Sequence, residues 1–515
     1  MTTAPAGVGP HRTGTVDAVR ALLHDAADAY AGTPHAAALT GAAERLDGPL
    51  RVAFAGRVKA GKSTLLNALV GQRLAATDAT ECTRLVTTYV DGPAARAWAV
   101  LRDGTRRQVA YVREGGSTRV DLGAFEVQDV ARLVVEYPSS RLARLTLVDT
   151  PGLASARGEV SARTEDYLLG SGSGSGPGGP DDGRADDGPG DDAADAVLYL
   201  LRQVHEADVD FLRAFHADED TWTVTPVNAV GVLSRADETG GGRPDALAVA
   251  ARIAARYRAD VRVRALVQTV VPVCGLLGLA AFELTQARWE HVAALAAEPE
   301  HVLLSADRFV RATGPAAADA RATLLDDLGL FGVRLAVGAV RDGTAVDAAT
   351  LAEVLRAASG LEDVRDLLLR RFVARAGVLQ AQRALRTVES LLVRAPVPGG
   401  DVLARRCEQV VAAAHDLVEL RLLADLRAGV VEVGDEAARD EAERLLGAEG
   451  DDPRTRLGLA PGTDPAPVAD PEVRESAVAA LHRWQRRAAH PFAGPDVRRV
   501  ADVLRRTCEG LVRDA

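Results

Sequence analysis

A chain of 515 residues exceeds what one hydrophobic core usually organises, so two or three domains are expected. Its formal net charge of -11 excludes a general affinity for nucleic acid, which needs a basic footprint, and 47% apolar with 26% charged residues is an ordinary globular balance. The four cysteines, Cys82, Cys274, Cys407 and Cys508, show no CxxC spacing, which points to neither a zinc site nor a disulfide framework and fits a reducing cytoplasm.

The opening "MTTAPAGVGPHRTG" lacks a charged start followed by an apolar core, so residues 1–14 read as a disordered lead and not as a signal peptide. From Thr15 to Leu46 the spacing is helical, with Val16, Val19, Leu22, Leu23 and Ala26 on one face, which predicts a helix or helical hairpin over 15–48. The apolar runs "RVAFAG", "LVTTYV", "AWAVLR", "LTLVDT", "AVLYLLR", "AVGVLS" and "TVVPVCG" then recur between polar or helical segments. That is the βαβ rhythm of a mainly parallel sheet over residues 49–300.

Within that region Gly170 to Asp192 is Gly-rich and acidic, has almost nothing to bury, and reads as a flexible insert. Ala265 to Leu284 is apolar enough to score as a membrane span, yet Pro272 and Gly275 interrupt it and Gln268 and Thr269 lie inside it. It reads as a buried strand running into a loop.

Beyond Glu300 the strand signals fade. Leu361, Val364, Leu368, Phe372 and Leu379 follow the spacing of one amphipathic helix, and "DVLARRCEQVVAAAHDLVELRLLADLRAG" repeats the pattern. A Pro/Gly/Asp-rich linker near 447–470 and two short helices around Trp484 and Leu504 complete a helical bundle over 301–515, which the N-terminal helix joins.

Chemistry concentrates in three motifs. Gly56-Arg57-Val58-Lys59-Ala60-Gly61-Lys62-Ser63 fits GxxxxGK[ST] between a predicted strand and the helix "STLLNALVG". Small residues there let backbone N–H groups face phosphates, and the helix N-terminus adds partial positive charge. Gly56, Lys59, Ala60, Gly61, Lys62, Ser63 and Thr64 are the candidate cradle, with Lys62 on the β/γ-phosphates and Ser63 on Mg²⁺. In "LTLVDTPGL", Asp149 delivers a carboxylate to the Mg²⁺ shell and Gly152 offers its N–H to the γ-phosphate. In "VGVLSRAD", Asp237 takes the place of the Asp that accepts two hydrogen bonds from guanine, which adenine cannot offer, and Arg235 replaces the usual Lys beside the base. A switch threonine must lie between the first two motifs. Thr77, Thr80, Thr83, Thr87 and Thr88 are available, and Thr83, after the loop and before "LVTTYV", is the best placed.

"KAGKSTLLNALVG", "ECTRLVTTY", "VDTPGL", "LSRAD" and "VVPVCG", with helices on both flanks, resemble bacterial dynamin-like proteins. The nearer likeness, through "DAVLYLLRQVHEADVDFLRAF" and "SGLEDVRDLLLRRFVARA", is to actinobacterial members, including the isoniazid-inducible group, and it spans roughly residues 45 to 390. The resemblance implies a P-loop G-domain with a helical bundle, GTP and Mg²⁺ as ligands, and Lys62, Thr83 and Gly152 as catalytic groups. It also implies Ser63, Thr83 and Asp149 around the metal, pairing of two G-domains or assembly with another dynamin-like protein, and contact with the inner face of a membrane. Two departures stand out. Lys59 occupies a phosphate-loop place where eukaryotic dynamins carry Ser, and Leu153 replaces the water-orienting Gln of small GTPases, which predicts slow basal turnover.

For the membrane, the sequence offers the arginines Arg365, Arg370, Arg371, Arg375, Arg383 and Arg386, a basic stretch that suits either anionic lipid or an ordinary solvated face. The competing function is a GTP-dependent regulatory or scaffold protein acting on a protein partner. An ATPase is disfavoured by Asp237 and the DTPG spelling.

Overall fold

The computed structural model describes residues 10–75, 85–114, 117–151, 194–202, 226–312, 317–460 and 470–515. Thr83, Gly152, Leu153 and the 170–192 insert lie outside them.

All seven expected strands form: β1 (Leu50–Gly56), β2 (Val86–Asp91), β3 (Arg96–Leu101), β7 (Leu145–Asp149), β8 (Ala196–Leu201), β9 (Ala229–Ser234) and β10 (Val270–Val273). Three more were not expected: β4 (Arg106–Glu114), β5 (Ser117–Asp121) and β6 (Val130–Tyr137). β4 reads "RRQVAYVRE" and β5 "STRVD", and such sparse apolar residues give little signal in an antiparallel edge with one wet face. The single sheet runs β10-β9-β8-β1-β7-β2-β6-β3-β4-β5. The ladders from β10 to β7 are parallel, as is β2 with β6, and the remainder are antiparallel. β8 and β9 are buried at every position, as strands covered on both faces must be.

The N-terminal hairpin is α1 (Pro10–Ala29) and α2 (Pro34–Arg45). α1 starts at Pro10, inside the stretch expected to be a disordered lead, and Thr15 within it donates through Oγ1 to Asp416 Oδ1 at 2.8 Å. Val19, Leu22, Leu23 and Ala26 are all buried. α3 (Lys62–Val70) follows β1, and α4 (Ala246–Ala259) and α5 (Val261–Arg264) cover the opposite sheet face. After β10 the chain enters α6 (Gly275–Glu283), not the expected loop, and no helix among the described residues is long and apolar enough to cross a membrane.

The helical half has two cores. α6, α7 (Gln286–Leu295), α8 (Ala306–Arg311), α9 (Ala318–Arg341) and α10 (Ala348–Ala358) surround one of their own, built on Leu277, Phe309, Phe331 and Leu351. α11 (Leu361–Leu367), α12 (Ala376–Arg394), α13 (Gly400–Ala413), α14 (His415–Ala428), α15 (Glu436–Leu445), α16 (Pro453–Leu457), α17 (Pro471–Ala489) and α18 (Pro495–Asp514) complete the chain, with α1 and α2 in the same core.

The stretch around Leu361 to Leu379, expected to follow the spacing of one amphipathic helix, is interrupted. At Gly360 φ is 69°, and a Cβ there would lie 2.4 Å from Pro272 O. A π turn spans Leu368–Phe372. This shift keeps Leu361, Val364, Leu368, Phe372 and Leu379 all buried. α17 and α18 run 19 and 20 residues, longer than expected, because each packs along the other. Of the segment read as a linker, residues 447–460 are anchored: Arg375 pairs with Asp451 and Arg454 donates to Ala460 O at 2.7 Å.

The arginines of the basic stretch from α11 to α12 have carboxylate partners or are desolvated, although the Arg370–Asp366 pair lies at the surface. Arg365 pairs with Glu362 at 3.0 Å, Arg370 with Asp366, Arg375 with Asp451 and Arg383 with Asp195. Burial pushes the guanidinium groups of Arg371 and Arg386 down to about 10. The stretch is not a free lipid-facing stripe.

α14 and α15 meet the sheet domain through buried charge. Arg427 donates to Val267 O at 3.0 Å, to Gln268 O at 2.7 Å and to Glu443 at 2.8 Å, while Arg264 reaches Glu443 at 2.6 Å.

Candidate functional site

The parallel strands β1, β7, β8, β9 and β10 all present their carboxyl ends to one edge, where open α/β sheets bind ligands. Gly56 ends β1 beside Leu200 with φ 142°, and a Cβ would stand 2.6 Å from Leu200 O, so only Gly passes there. Lys59 (φ 62°) and Gly61 (φ 91°) are left-handed, the conformation that anion-cradling backbone nests use. Lys59 itself is exposed, Ala60 is buried, and Thr64 is half-buried in the first turn of α3.

Lys62, by contrast, is only 8% exposed. Its Nζ donates to Gly56 O at 3.1 Å and Arg57 O at 3.3 Å, spanning the loop. Burial lowers its pKa, with Asp149 pulling the other way.

Ser63 Oγ donates to Asp149 Oδ2 at 2.7 Å. Asp149 ends β7 opposite Phe54 of β1 and Thr87 of β2, which fixes its reach toward α3. Burial raises its pKa, opposed by the Lys62 charge and the Ser63 hydrogen bond. Asp149 Oδ1 is buried without a hydrogen-bond partner. A hydroxyl and an orphaned hard carboxylate oxygen beside a phosphate cradle are the donor set that Mg²⁺ takes when phosphates complete its shell, so the residues fit that ion. Thr150 Oγ1 donates to Phe54 O at 2.7 Å and anchors the turn after β7.

Asp237 lies in the short 3₁₀ segment Ala236–Gly241 that follows β9. Burial raises its pKa, a hydrogen bond from the Cys274 thiol opposing. Cys274, fully buried between β10 and α6, stays a protonated donor because burial and the adjacent Asp237 push its pKa well above the ordinary thiol value. Arg235 is left-handed (φ 54°), and its guanidinium is held by Glu238 at 2.6 Å, which Arg202 also engages.

The structure thus brings together Gly56, Lys59, Ala60, Gly61, Lys62, Ser63, Thr64 and Asp149 at one strand edge, with Arg235 and Asp237 two strands further along it. Sequence reasoning missed Asn67 and the role of Cys274. Asn67 is fully buried and bonds Ala75 O, Leu74 N and Ala75 N at 2.9, 2.8 and 2.7 Å, fixing the exit from α3. A polar residue amid "LLNALV" was the available signal.

The Dynamin family model matches residues 52–171. Over 97% of the chain, and 99% of the relative, the sequence is 36% identical to the isoniazid-induced protein IniC of Mycobacterium tuberculosis. A bacterial dynamin-like protein of Nostoc punctiforme is 32% identical over 22% of the chain and 18% of its own length. A solved bacterial dynamin, described as "An oligomerised bacterial dynamin pair provides a mechanism for the long range sensing and tethering of membranes", aligns over the whole chain and 81% of its own at 13% identity, with a TM-score of 0.30.

Proposed function

From a chain that belongs to the actinobacterial dynamin-like family, which is a GTPase family, we propose a slow GTPase that pairs through its G-domains and transmits the nucleotide state to its helices at a membrane surface. The observation that carries it is the pairing of Ser63 with Asp149, whose second oxygen is unpartnered, at the mouth of the Gly56–Ser63 loop. In this reading Lys62 releases the loop carbonyls for the β/γ-phosphates, Ser63 and Asp149 hold Mg²⁺, Thr83 and Gly152 close on the γ-phosphate, and Asp237 accepts from guanine. Bound Mg²⁺ supplies charge neutralisation on the phosphates. Leu153 offers the attacking water no hydrogen bond, so turnover depends on a second G-domain.

A second reading, a GTP-dependent scaffold for a protein partner, is favoured by one observation: the arginines that could have met lipid are paired with carboxylates or desolvated. GTP turnover against protein concentration, with and without anionic liposomes, separates the two. Activity rising with concentration and again with liposomes supports the first. A concentration-independent rate indifferent to lipid favours the second, and no turnover or GTP binding at all overturns both.

A further inference from the structure

α9 is not one straight helix. At Gly329 the backbone leaves helical geometry at φ 67°, ψ 169°, a combination open essentially to glycine alone. The break falls beside the base-reading carboxylate: a Cβ on Gly329 would lie 3.7 Å from Asp237 Oδ2 and 3.6 Å from Leu276.

Contacts on either side of Gly329 hold the break in place. Two residues earlier, Asp327 pairs with Arg73 at 3.1 Å and with Arg288 at 2.7 Å. Arg73 stands just beyond α3, the helix that opens at Lys62 and Ser63. Five residues after Gly329, Arg334 donates to Gly242 O at the end of the base-reading segment, and to Leu303 O at 2.8 Å and Leu304 O at 2.9 Å. α9 therefore touches the Asp237 segment at two points and the exit of the phosphate-binding helix at a third, although it belongs to the separate core of α6 to α10.

We propose that the broken turn of α9 is the outer wall of the guanine pocket, and that Gly329 is a specificity-determining residue whose missing side chain leaves the Asp237 carboxylate open to the base. A methyl group at 329 stands in van der Waals contact with an oxygen that must accept a base N–H, and it also strains a left-handed position. The helical unit α6 to α10, in addition to the sheet, then sets guanine affinity. This rests on the reading of Asp237 as the guanine acceptor.

The test is Gly329→Ala in the full chain, with mant-GDP titrated for guanine binding, inorganic tripolyphosphate for the phosphate cradle, and circular dichroism for the fold. The expected result is a folded protein with about tenfold weaker mant-GDP binding and unchanged tripolyphosphate binding. A folded variant with parental mant-GDP affinity, or one that loses both probes equally, overturns the proposal. Should the variant not fold, hydrogen exchange on the parental protein decides: GDP, but not tripolyphosphate, must slow exchange in residues 326–334, and the absence of that difference overturns it. Parental protein that binds mant-ADP as tightly as mant-GDP removes the guanine reading itself, an outcome distinct from either.

Discussion

Ser63 Oγ donates to Asp149 Oδ2 at 2.7 Å and so joins the first turn of α3 to the end of β7; the hydroxyl and carboxylate proposed to share Mg²⁺ already share a hydrogen bond. Asp149→Asn keeps an acceptor for Ser63 and removes the cost of burying a charge. The nucleotide-free variant is expected to melt no lower than the parent in differential scanning fluorimetry, while phosphate release from GTP is lost. A lower melting temperature with residual Mg²⁺-dependent turnover contradicts the assignment.

Burial raises the pKa of both Asp149 and Asp237, and both must be ionised to serve Mg²⁺ and guanine. Mg·GTP affinity is therefore expected to fall on acidification, beginning at a pH above the ordinary carboxylate range. Calorimetric titration at successively lower pH checks this, and Asp237→Asn should flatten part of the dependence while turning preference toward xanthine nucleotides.

Lys62→Ala removes two hydrogen bonds to loop carbonyls from a buried position. It is expected to keep the fold, lose about 1–3 kcal/mol of stability in urea, and weaken GTP binding by at least about a hundredfold. Parental turnover in this variant would remove Lys62 from the site.

Glu443 compensates both Arg427 and Arg264 where the helices meet the sheet domain. Glu443→Ala leaves buried guanidinium charge unmatched, with an expected loss of about 3–5 kcal/mol in urea unfolding. A loss below about 1 kcal/mol would show that water reaches the interface on substitution.

Glu419, buried against Arg456, His415 and Thr507, is pulled up by burial but held net far below the ordinary glutamate range by Arg456 and those hydrogen bonds. A depressed folded pKa contributes stability above the unfolded value, about 4.3, which is lost as pH falls toward the folded one. Glu419→Gln should destabilise at pH 7 and progressively less below about pH 4. Urea unfolding of both proteins across that range measures it, and a pH-independent difference contradicts it.

Local rules sufficed to place the Gly56–Ser63 loop after β1, β7 with Asp149 at its end, and β9 with the Asp237 segment. Each is a strand followed by residues whose backbone or side chain has one job, and an apolar run next to Gly, Lys or Asp states that within ten residues. The same rules placed the buried face of α1 and the residues Leu361 to Leu379, because helical periodicity survives even a π turn. They could not supply β4 and β5, whose stability comes from neighbouring strands and not from their own few apolar side chains. Nor could they show that Arg375 and Arg383 are internal, since an arginine's burial is decided by Asp451 and Asp195, 76 and 188 residues away. Gly329 beside Asp237 is the extreme case. Ninety-two positions separate them, and only packing of α9 onto the strand edge makes the absence of one side chain matter to the other.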